Sequence, residues 1–145
     1  MGRLSSEPQF SEKILPAIIK DVGLITGQKP KHTTAKKSIA GFKTRTGQVI
    51  GVKATLRGSR ARDFLDRLMH TALPRVKDFR GIDLKNVDEL GNLNLGVREH
   101  LAFPQVNPEE SPYNFGFQIS VVLRAVKNRS EAIDLYRRLG VPLKK

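Results

Sequence analysis

Residues 49–73 read VIGVKATLRGSRARDFLDRLMHTAL, and this stretch decides the fold. Its first part, residues 49–56, is rich in β-branched and apolar side chains, which predicts a strand that ends at Arg57 and Gly58. Apolar side chains then recur at helical spacing and predict the clearest helix of the chain: Phe64, Leu65, Leu68, Met69, Ala72, Leu73 and Val76. A strand that leads directly into a helix indicates a mixed α and β fold.

The ends of the predicted helices carry their own signals. Ser59 is a residue type that caps helices, and Pro74 is expected to bend or end the same helix because it lacks a backbone N–H. Ser130 is expected to cap a later helix that runs through residue 139. Gly140 and Pro142 follow in the order typical of a helix end.

A further helix is predicted upstream, at residues 11–22, where apolar side chains recur at helical spacing behind Ser11 as the expected N-cap. Pro16 lies inside this pattern. Because a proline removes one backbone hydrogen bond, it either kinks the helix or marks its true first turn.

The remaining segments complete an α+β fold. Residues 31–35 predict an edge strand, and residues 93–103 and 115–126 predict two more strands, the last with clear apolar alternation. Residues 36–47, with two glycines and several charges, predict a projecting basic loop. We therefore expect an antiparallel or mixed sheet that helices cover on one face.

The composition sets limits on domain number and on cofactors. With 145 residues, 39% of them hydrophobic, the chain suits a single domain over residues 1–145. There is no cysteine, and the three histidines have no paired spacing, so no metal site or other cofactor is expected. No apolar run reaches the length of a membrane span, so no membrane association is expected either.

Positive charge is concentrated in residues 22–62, a window of 41 residues without any Asp or Glu. The window holds ten of the 26 basic residues, while the rest of the chain has 16 basic against 14 acidic residues. Such a field attracts polyanions, because a bound phosphate backbone releases its counterions. An ordinary solvated basic face is the alternative interpretation. The ten residues are Lys29, Lys31, Lys36, Lys37, Lys43, Arg45, Lys53, Arg57, Arg60 and Arg62.

The low aromatic content limits which polyanions the basic window is expected to bind. Only 6% of the residues are aromatic and none is tryptophan, which disfavours a surface built on stacked single-stranded bases. Duplex or folded RNA, or a DNA backbone, fits better. Catalysis is not expected, because Asp63 and Asp66, spaced three apart on a helix among arginines, are typical of intrahelical ion pairs.

Several ordered motifs resemble those of one family, the bacterial-type large-subunit ribosomal protein five, which binds 5S rRNA. The resemblance covers residues 23–143, with an abbreviated region at residues 1–22. The motifs are LITGQKP at 24–30, AKKSIAGFK at 35–43, TLRG at 55–58, LPRVKDFRG at 73–81, LGVREH at 95–100 and LGVP at 139–142.

This resemblance implies a structural, non-enzymatic role in the central protuberance of the large ribosomal subunit. The partners it implies are 5S rRNA, large-subunit rRNA, P-site tRNA, and neighbouring ribosomal proteins of the central protuberance and of the small-subunit head. The implied location is a ribosome in a bacterial cytoplasm or in an organelle, either a mitochondrion or a plastid. A stand-alone basic RNA- or DNA-binding regulator is the alternative that composition alone permits.

The resemblance also implies two sets of contact residues. The 5S rRNA set is Gln28, Lys29, Phe42, Thr55 and Arg57. The loop of residues 36–47 corresponds to the part of the family that approaches tRNA. Its expected contacts are Lys36, Lys37, Ser38, Lys43 and Arg45.

The chain departs from the family pattern at its front. About forty residues of the family, including a strand and most of a second helix, have no counterpart here. Residues 14–18, ILPAI, resemble the first helix of the family, which favours an internal loss. In the other alignment, residues 11–22 are the second helix of a chain shortened at its N-terminus.

Overall fold

The computed structural model describes residues 13–42, 44–124, 126 and 128–144, and it is an α+β structure. We label its three longer helices and four strands in chain order. They are α1 Leu15–Thr26, β1 Lys31–Thr34, β2 Val49–Lys53, α2 Ser59–Arg67, β3 Leu93–Val97, β4 Phe117–Val121 and α3 Arg129–Arg138. Short 3₁₀ turns lie at Ala40–Phe42, Leu84–Asn86 and His100–Ala102.

Within the described residues the strands form two separate antiparallel pairs, β1 with β2 and β3 with β4. In the first pair Lys31 lies opposite Lys53, and the register shifts between Thr33 and Thr34. In the second pair Leu93 lies opposite Val121 without irregularity. The α+β class and the antiparallel pairing predicted from the sequence are confirmed, with the strands divided between two small sheets.

Helix α1 shows why a proline is tolerated at residue 16. The α-helix begins at Leu15, directly after a π-helical stretch at Lys13 and Ile14, so Pro16 lies in its first turn, where a proline is best tolerated. The interpretation of Pro16 as a first-turn residue is confirmed, and the expected N-cap Ser11 lies outside the described residues. The helix ends at Gly27, whose φ of 66° places it in the left-handed region that favours glycine.

The helical segment from Ser59 continues past α2 through a π-helical stretch, Leu68–Ala72, and a last turn at Leu73–Arg75. In the π stretch the N–H of Leu73 donates to the carbonyl of Leu68. Pro74 follows directly and has no N–H to continue the α-helical pattern, which accounts for a wider turn at this point. The prediction that Pro74 bends or ends the helix is confirmed.

The predicted caps of α2 and α3 were wrong. Gly58 occupies the N-cap position of α2 with a φ of 62°, and Ser59 is the first helical residue. Asn128 occupies the N-cap position of α3, so Ser130 lies within the first turn. Neither cap residue makes a side-chain capping hydrogen bond, which is why a search for capping side chains misplaced both helix starts.

The predicted strands were too long. The strand predicted at 93–103 ends at Val97, and its continuation is a 3₁₀ turn in which the N–H of His100 donates to the carbonyl of Phe115. The strand predicted at 115–126 is limited to Phe117–Val121. Both strands stop where their cross-strand partners stop, because a strand persists only while its backbone groups are paired.

Two apolar clusters hold the fold together. The larger one joins α2, β3, β4 and α3 and includes Leu68, Leu93, Phe103 and Tyr136, each at most 1% exposed. In the smaller one Ile14 and Ile18 of α1 pack with Phe115, and partly buried side chains from both sheets pack against them. Helix α1 therefore supports the β1–β2 pair and the start of β4 together.

Backbone hydrogen bonds join the residues around 143 to Ile82, which lies just before the 3₁₀ turn at Leu84–Asn86. The N–H of Ile82 donates to the carbonyl of Pro142 at 2.8 Å, and the N–H of Lys144 donates to the carbonyl of Ile82 at 2.9 Å. Lys144 also pairs with Asp83 at 2.7 Å, which lowers the pKa of that carboxyl. Among the described residues, no helix is both long and apolar enough to cross a membrane.

Candidate nucleic-acid interface

The turn after α1 positions the first candidate contact residues. The hydroxyl of Thr26 donates to the carbonyl of Val22 at 2.7 Å, and the N–H of Gly27 donates to the carbonyl of Gly23 at 2.8 Å. These bonds use groups that a helix C-terminus otherwise leaves without partners. Gln28 therefore leaves the helix in a defined direction.

Gln28 and Thr55 meet in the structure although 27 residues separate them. The side-chain Nε2 of Gln28 donates to the backbone carbonyl of Thr55 at 3.2 Å. Lys29 follows Gln28, Arg57 follows Thr55 by two positions, and both cations are exposed. Because β1 and β2 are antiparallel, the segment before β1 and the segment after β2 lie at the same end of the pair. Four of the five candidate 5S rRNA contacts are thereby brought together.

Two lysines that the sequence did not single out join this end of the hairpin. Lys31 and Lys53 are exposed cross-strand partners, directly opposite each other. Like charges in this arrangement destabilise a sheet unless an anion neutralises them. The signal that could have identified them is the hairpin register, which composition and motif spacing do not contain.

We refer to Gln28, Lys29, Lys31, Lys53, Thr55 and Arg57 as the basic end. Among the described residues, no carboxylate lies within salt-bridge distance of any of its four cations. Their charge is therefore available to an external anion, in contrast to Lys20 and Lys144, which are paired with Glu110 and Asp83.

The loop between β1 and β2 occupies the other end of the hairpin. Its base is closed by reciprocal backbone bonds of 3.2 Å between Ile39 and Thr44, and the hydroxyl of Ser38 donates to the carbonyl of Thr44 at 2.9 Å. The N–H of Arg45 donates to Oε1 of Gln48 at 3.0 Å. Strands of four and five residues, at about 3.3 Å per residue, put this loop roughly 15 Å from the basic end.

The structure describes most of the candidate loop residues but not all of them. Lys36, Lys37, Ser38 and Arg45 are exposed, whereas Lys43 lies outside the described residues. Phe42 lies in the 3₁₀ turn Ala40–Phe42, so its backbone belongs to the loop and is separated from Gln28 and Thr55 by the length of the hairpin. Its side chain lies outside the described part of the structure.

A groove of about 580 Å³ runs between the two sheets. Val52 and Phe117 line it and also pack against the smaller apolar cluster, so they form its apolar floor. Thr33, Lys53 and Gln118 add polar groups to its walls. The groove connects the β1–β2 pair with β4 and extends the polar surface beyond the hairpin.

The predicted ion pairs of α2 are absent from the described residues. The guanidinium Nε of Arg67 donates to the backbone carbonyl of Asp63 at 3.2 Å, and no carboxylate of α2 forms a salt bridge there. Asp63 and Asp66 are both exposed on the helix surface.

Two family models match the chain and together cover most of it. The model of the C-terminal region of the ribosomal protein L5 family matches residues 49–143, and the model described as ribosomal protein L5 matches residues 7–45. The first match runs from β2 to the C-terminal segment that is hydrogen-bonded to Ile82. The second contains α1, β1 and most of the basic loop.

Curated relatives give the same result. The large ribosomal subunit protein uL5 of Halothermothrix orenii is 42% identical over 142 residues, which are 98% of this chain and 76% of the relative. The protein uL5c of Cyanidium caldarium is 44% identical over 136 residues, which are 94% of this chain and 74% of the relative. The uL5 of Limosilactobacillus fermentum is 47% identical over 135 residues, 93% and 74% of the two chains. The chain therefore belongs to the uL5 family of ribosomal proteins, which are structural, non-enzymatic constituents of the large ribosomal subunit.

Proposed function

We propose that this protein binds 5S rRNA in the central protuberance of the large subunit, and that the basic end is its main contact surface. The observation that carries the proposal is the contact between Gln28 and Thr55, at the end of the hairpin where four cations have no salt-bridge partner among the described residues. Family membership supports an rRNA partner, and the acid-free window supports a phosphate backbone as the contacted part.

The residues of the basic end supply two kinds of interaction. The four cations neutralise phosphates, which gives affinity without sequence preference. Gln28 and Thr55 provide amide and hydroxyl groups suited to ribose 2′-hydroxyls, the feature by which proteins distinguish RNA from DNA. Phe42, in the loop at the other end of the hairpin, is the fifth residue of the proposed 5S rRNA set. We propose that a neighbouring part of the same RNA contacts it.

The loop of residues 36–47 is proposed to approach P-site tRNA through Lys36, Lys37, Ser38, Lys43 and Arg45. Its separation of roughly 15 Å from the basic end supports contact with a second RNA by the same hairpin. The remaining proposed partners are large-subunit rRNA and neighbouring proteins of the central protuberance and of the small-subunit head. We also propose that residues 1–145 form a single domain.

The proposal is tested by the pair Lys53→Ala with Arg57→Ala. We expect the affinity for 5S rRNA to fall, and the slope of log affinity against log salt to decrease by about two, because each cation neutralises about one phosphate. The matched control is Lys77→Ala with Arg138→Ala, two exposed cations away from the hairpin.

The measurement is a salt titration of binding to 5S rRNA and to an unrelated RNA duplex of equal length. Stronger binding to 5S rRNA that depends on the first pair of cations supports the proposal. Equal affinities and equal slopes for the two RNAs would contradict it and indicate a general nucleic-acid-binding protein.

A further inference from the structure

Three polar side chains from distant parts of the chain meet in the interior. Asp21 belongs to α1, His100 begins the 3₁₀ turn after β3, and Ser111 lies in the loop before β4. They are 4%, 0% and 9% exposed. A buried polar group is costly unless it is hydrogen-bonded, so the bonds among the three determine whether this cluster stabilises the fold.

The hydrogen bonds favour one arrangement of the protons in the cluster. The N–H of Phe115 donates to Nδ1 of His100 at 3.4 Å, so Nδ1 is an acceptor and the neutral ring carries its proton on Nε2. Nε2 lies 2.8 Å from the hydroxyl of Ser111 and donates to it. The hydroxyl in turn donates to Oδ2 of Asp21 at 2.6 Å. The result is a one-directional relay from imidazole to hydroxyl to carboxylate.

The same three residue types form hydrolase sites, but this order excludes that use. A nucleophilic serine must donate its proton to the imidazole, whereas Ser111 donates to Asp21 and accepts from His100. The imidazole is also stacked on Phe115, with ring centroids 4.1 Å apart and an angle of 11° between the planes. The ring is therefore held in place and closed to substrate.

The position of the relay connects it to the basic end. Asp21 lies on the same helix as Thr26, which leads through Gly27 to Gln28. A second bond joins the same helix to the same loop, because Lys20 pairs with Glu110 at 2.7 Å on the surface. A shift of α1 relative to the C-terminal half would therefore move Gln28.

We propose that the relay of His100, Ser111 and Asp21 is a pH-sensitive lock that positions α1, and with it the basic end, for binding RNA. Neutral His100 keeps the lock closed. Protonation puts a cation into the buried stack on Phe115, 3.5 Å from the carboxylate of Asp21, and burial opposes that charge. The RNA part of the inference rests on the proposed function, whereas the lock itself is a property of the fold.

The groups that face His100 act in opposite directions. The carboxylate of Asp21 on α1, the side chain of Asn114 and the backbone of Phe115 favour the protonated ring, and Glu99 beside the turn does so more weakly. Burial opposes them and is the largest influence, so the pKa of His100 lies below its ordinary value. The surface pair of Lys20 and Glu110 adds opposite charges that largely cancel.

The sign of the pH dependence follows from this direction. Because the folded-state pKa of His100 is below the unfolded one, the unfolded chain binds more protons in this range. The stability due to neutral His100 is fully present above a pH of about 6.5, the ordinary histidine pKa. It is lost as the pH falls through the lower folded-state pKa.

The lock is tested with the full chain by thermal unfolding between pH 5 and 8. We expect the melting temperature of the wild type to fall toward pH 5, and the His100→Gln variant to lose most of that dependence because glutamine does not titrate. His70→Gln is the matched control, since His70 is exposed and should keep the wild-type profile. An unchanged profile in His100→Gln would overturn the lock.

Nitrogen NMR of the imidazole reports which ring nitrogen of His100 carries the proton, independently of the unfolding measurements. In the folded protein at pH 7.5 we expect a neutral His100 ring with its proton on Nε2. A neutral His100 ring that carries its proton on Nδ1 contradicts the relay.

The positioning role is tested by the affinity of Asp21→Asn for 5S rRNA at fixed salt and pH 7.5. Asp21 is buried and cannot touch RNA, so a loss of roughly fivefold supports positioning. An unchanged affinity in a variant whose melting temperature has fallen would overturn it. If the wild type itself shows no preference for 5S rRNA, the proposed function fails while the unfolding and NMR results still decide the lock.

Discussion

At the scale of single residues, Gly58 shows how one backbone conformation directs the chain between two kinds of structure. Its φ of 62° turns the chain from the segment after β2 into α2, and a side chain there would have open space around it. The requirement for glycine is therefore conformational and not steric. The same turn orients Arg57, the residue immediately before it, at the basic end.

We predict that Gly58→Ala destabilises the fold by about 1–3 kcal/mol, because a φ of 62° with a ψ of −136° lies in a region that essentially only glycine adopts. Chemical denaturation measures this as a change in the free energy of unfolding. Gly41→Ala is the control, because Gly41 also has open space but its φ is not positive. Equal effects of the two substitutions would show that the φ of Gly58 is not the cause.

At the scale of elements, the residues of the β1–β2 hairpin that pack against the rest of the fold differ from those proposed to bind RNA. Its apolar contacts run through Val49 and Val52 to α1, whereas Lys36 and Lys37 of the loop are exposed and have no acidic partner among the described residues. Changes in the loop should therefore alter RNA binding without altering the packing that holds the hairpin in place.

We predict that Lys36→Ala with Lys37→Ala lowers the affinity for tRNA and reduces the salt slope by about two, because two phosphate contacts are removed. The melting temperature should not change. Binding to a tRNA at several salt concentrations, with Lys77→Ala and Arg80→Ala as the control pair, tests this expectation. A large loss of stability would instead mean that the two lysines serve the fold.

At the scale of the whole molecule, one tyrosine holds three segments of the C-terminal half together. The hydroxyl of Tyr136 on α3 lies 2.9 Å from the carbonyl of Gly91 and 3.2 Å from that of Val121. The side chain is fully buried, and burial raises the pKa of its hydroxyl. Gly91 is itself constrained, because a Cβ there would lie 2.7 Å from the side chain of Ala132.

We predict that Tyr136→Phe destabilises the protein by about 1–3 kcal/mol, since the single O–H donor shared by the carbonyls of Gly91 and Val121 is lost while the apolar packing is kept. Urea titration gives this difference directly. Tyr113→Phe is the matched control, because Tyr113 is only half-buried and packs through its ring against the smaller cluster. A cost no larger than that of the control would assign the stabilisation to the ring alone.

The family assignment also applies to the whole molecule. Relatives named uL5 come from bacteria and a relative named uL5c from Cyanidium caldarium, which is consistent with a ribosome in a bacterial cytoplasm or a plastid.

The sequence by itself determined the α+β class, the helices around Ile18, Leu68 and Tyr136, and the basic window, because apolar periodicity and charge are local properties of a chain. It also contained the motifs that identify the family. It misplaced helix caps and strand ends, because these depend on backbone φ values and on cross-strand partners.

Only the tertiary structure decided which distant residues meet. Gln28 reaches Thr55, Lys31 faces Lys53, and His100 lies beside Asp21 and Ser111 because α1 packs against both sheets. Nothing local to any of these residues specifies its partner. The contacts follow from how the helix and the two sheets bury their apolar faces together, and that packing gives both the basic end and the relay their geometry.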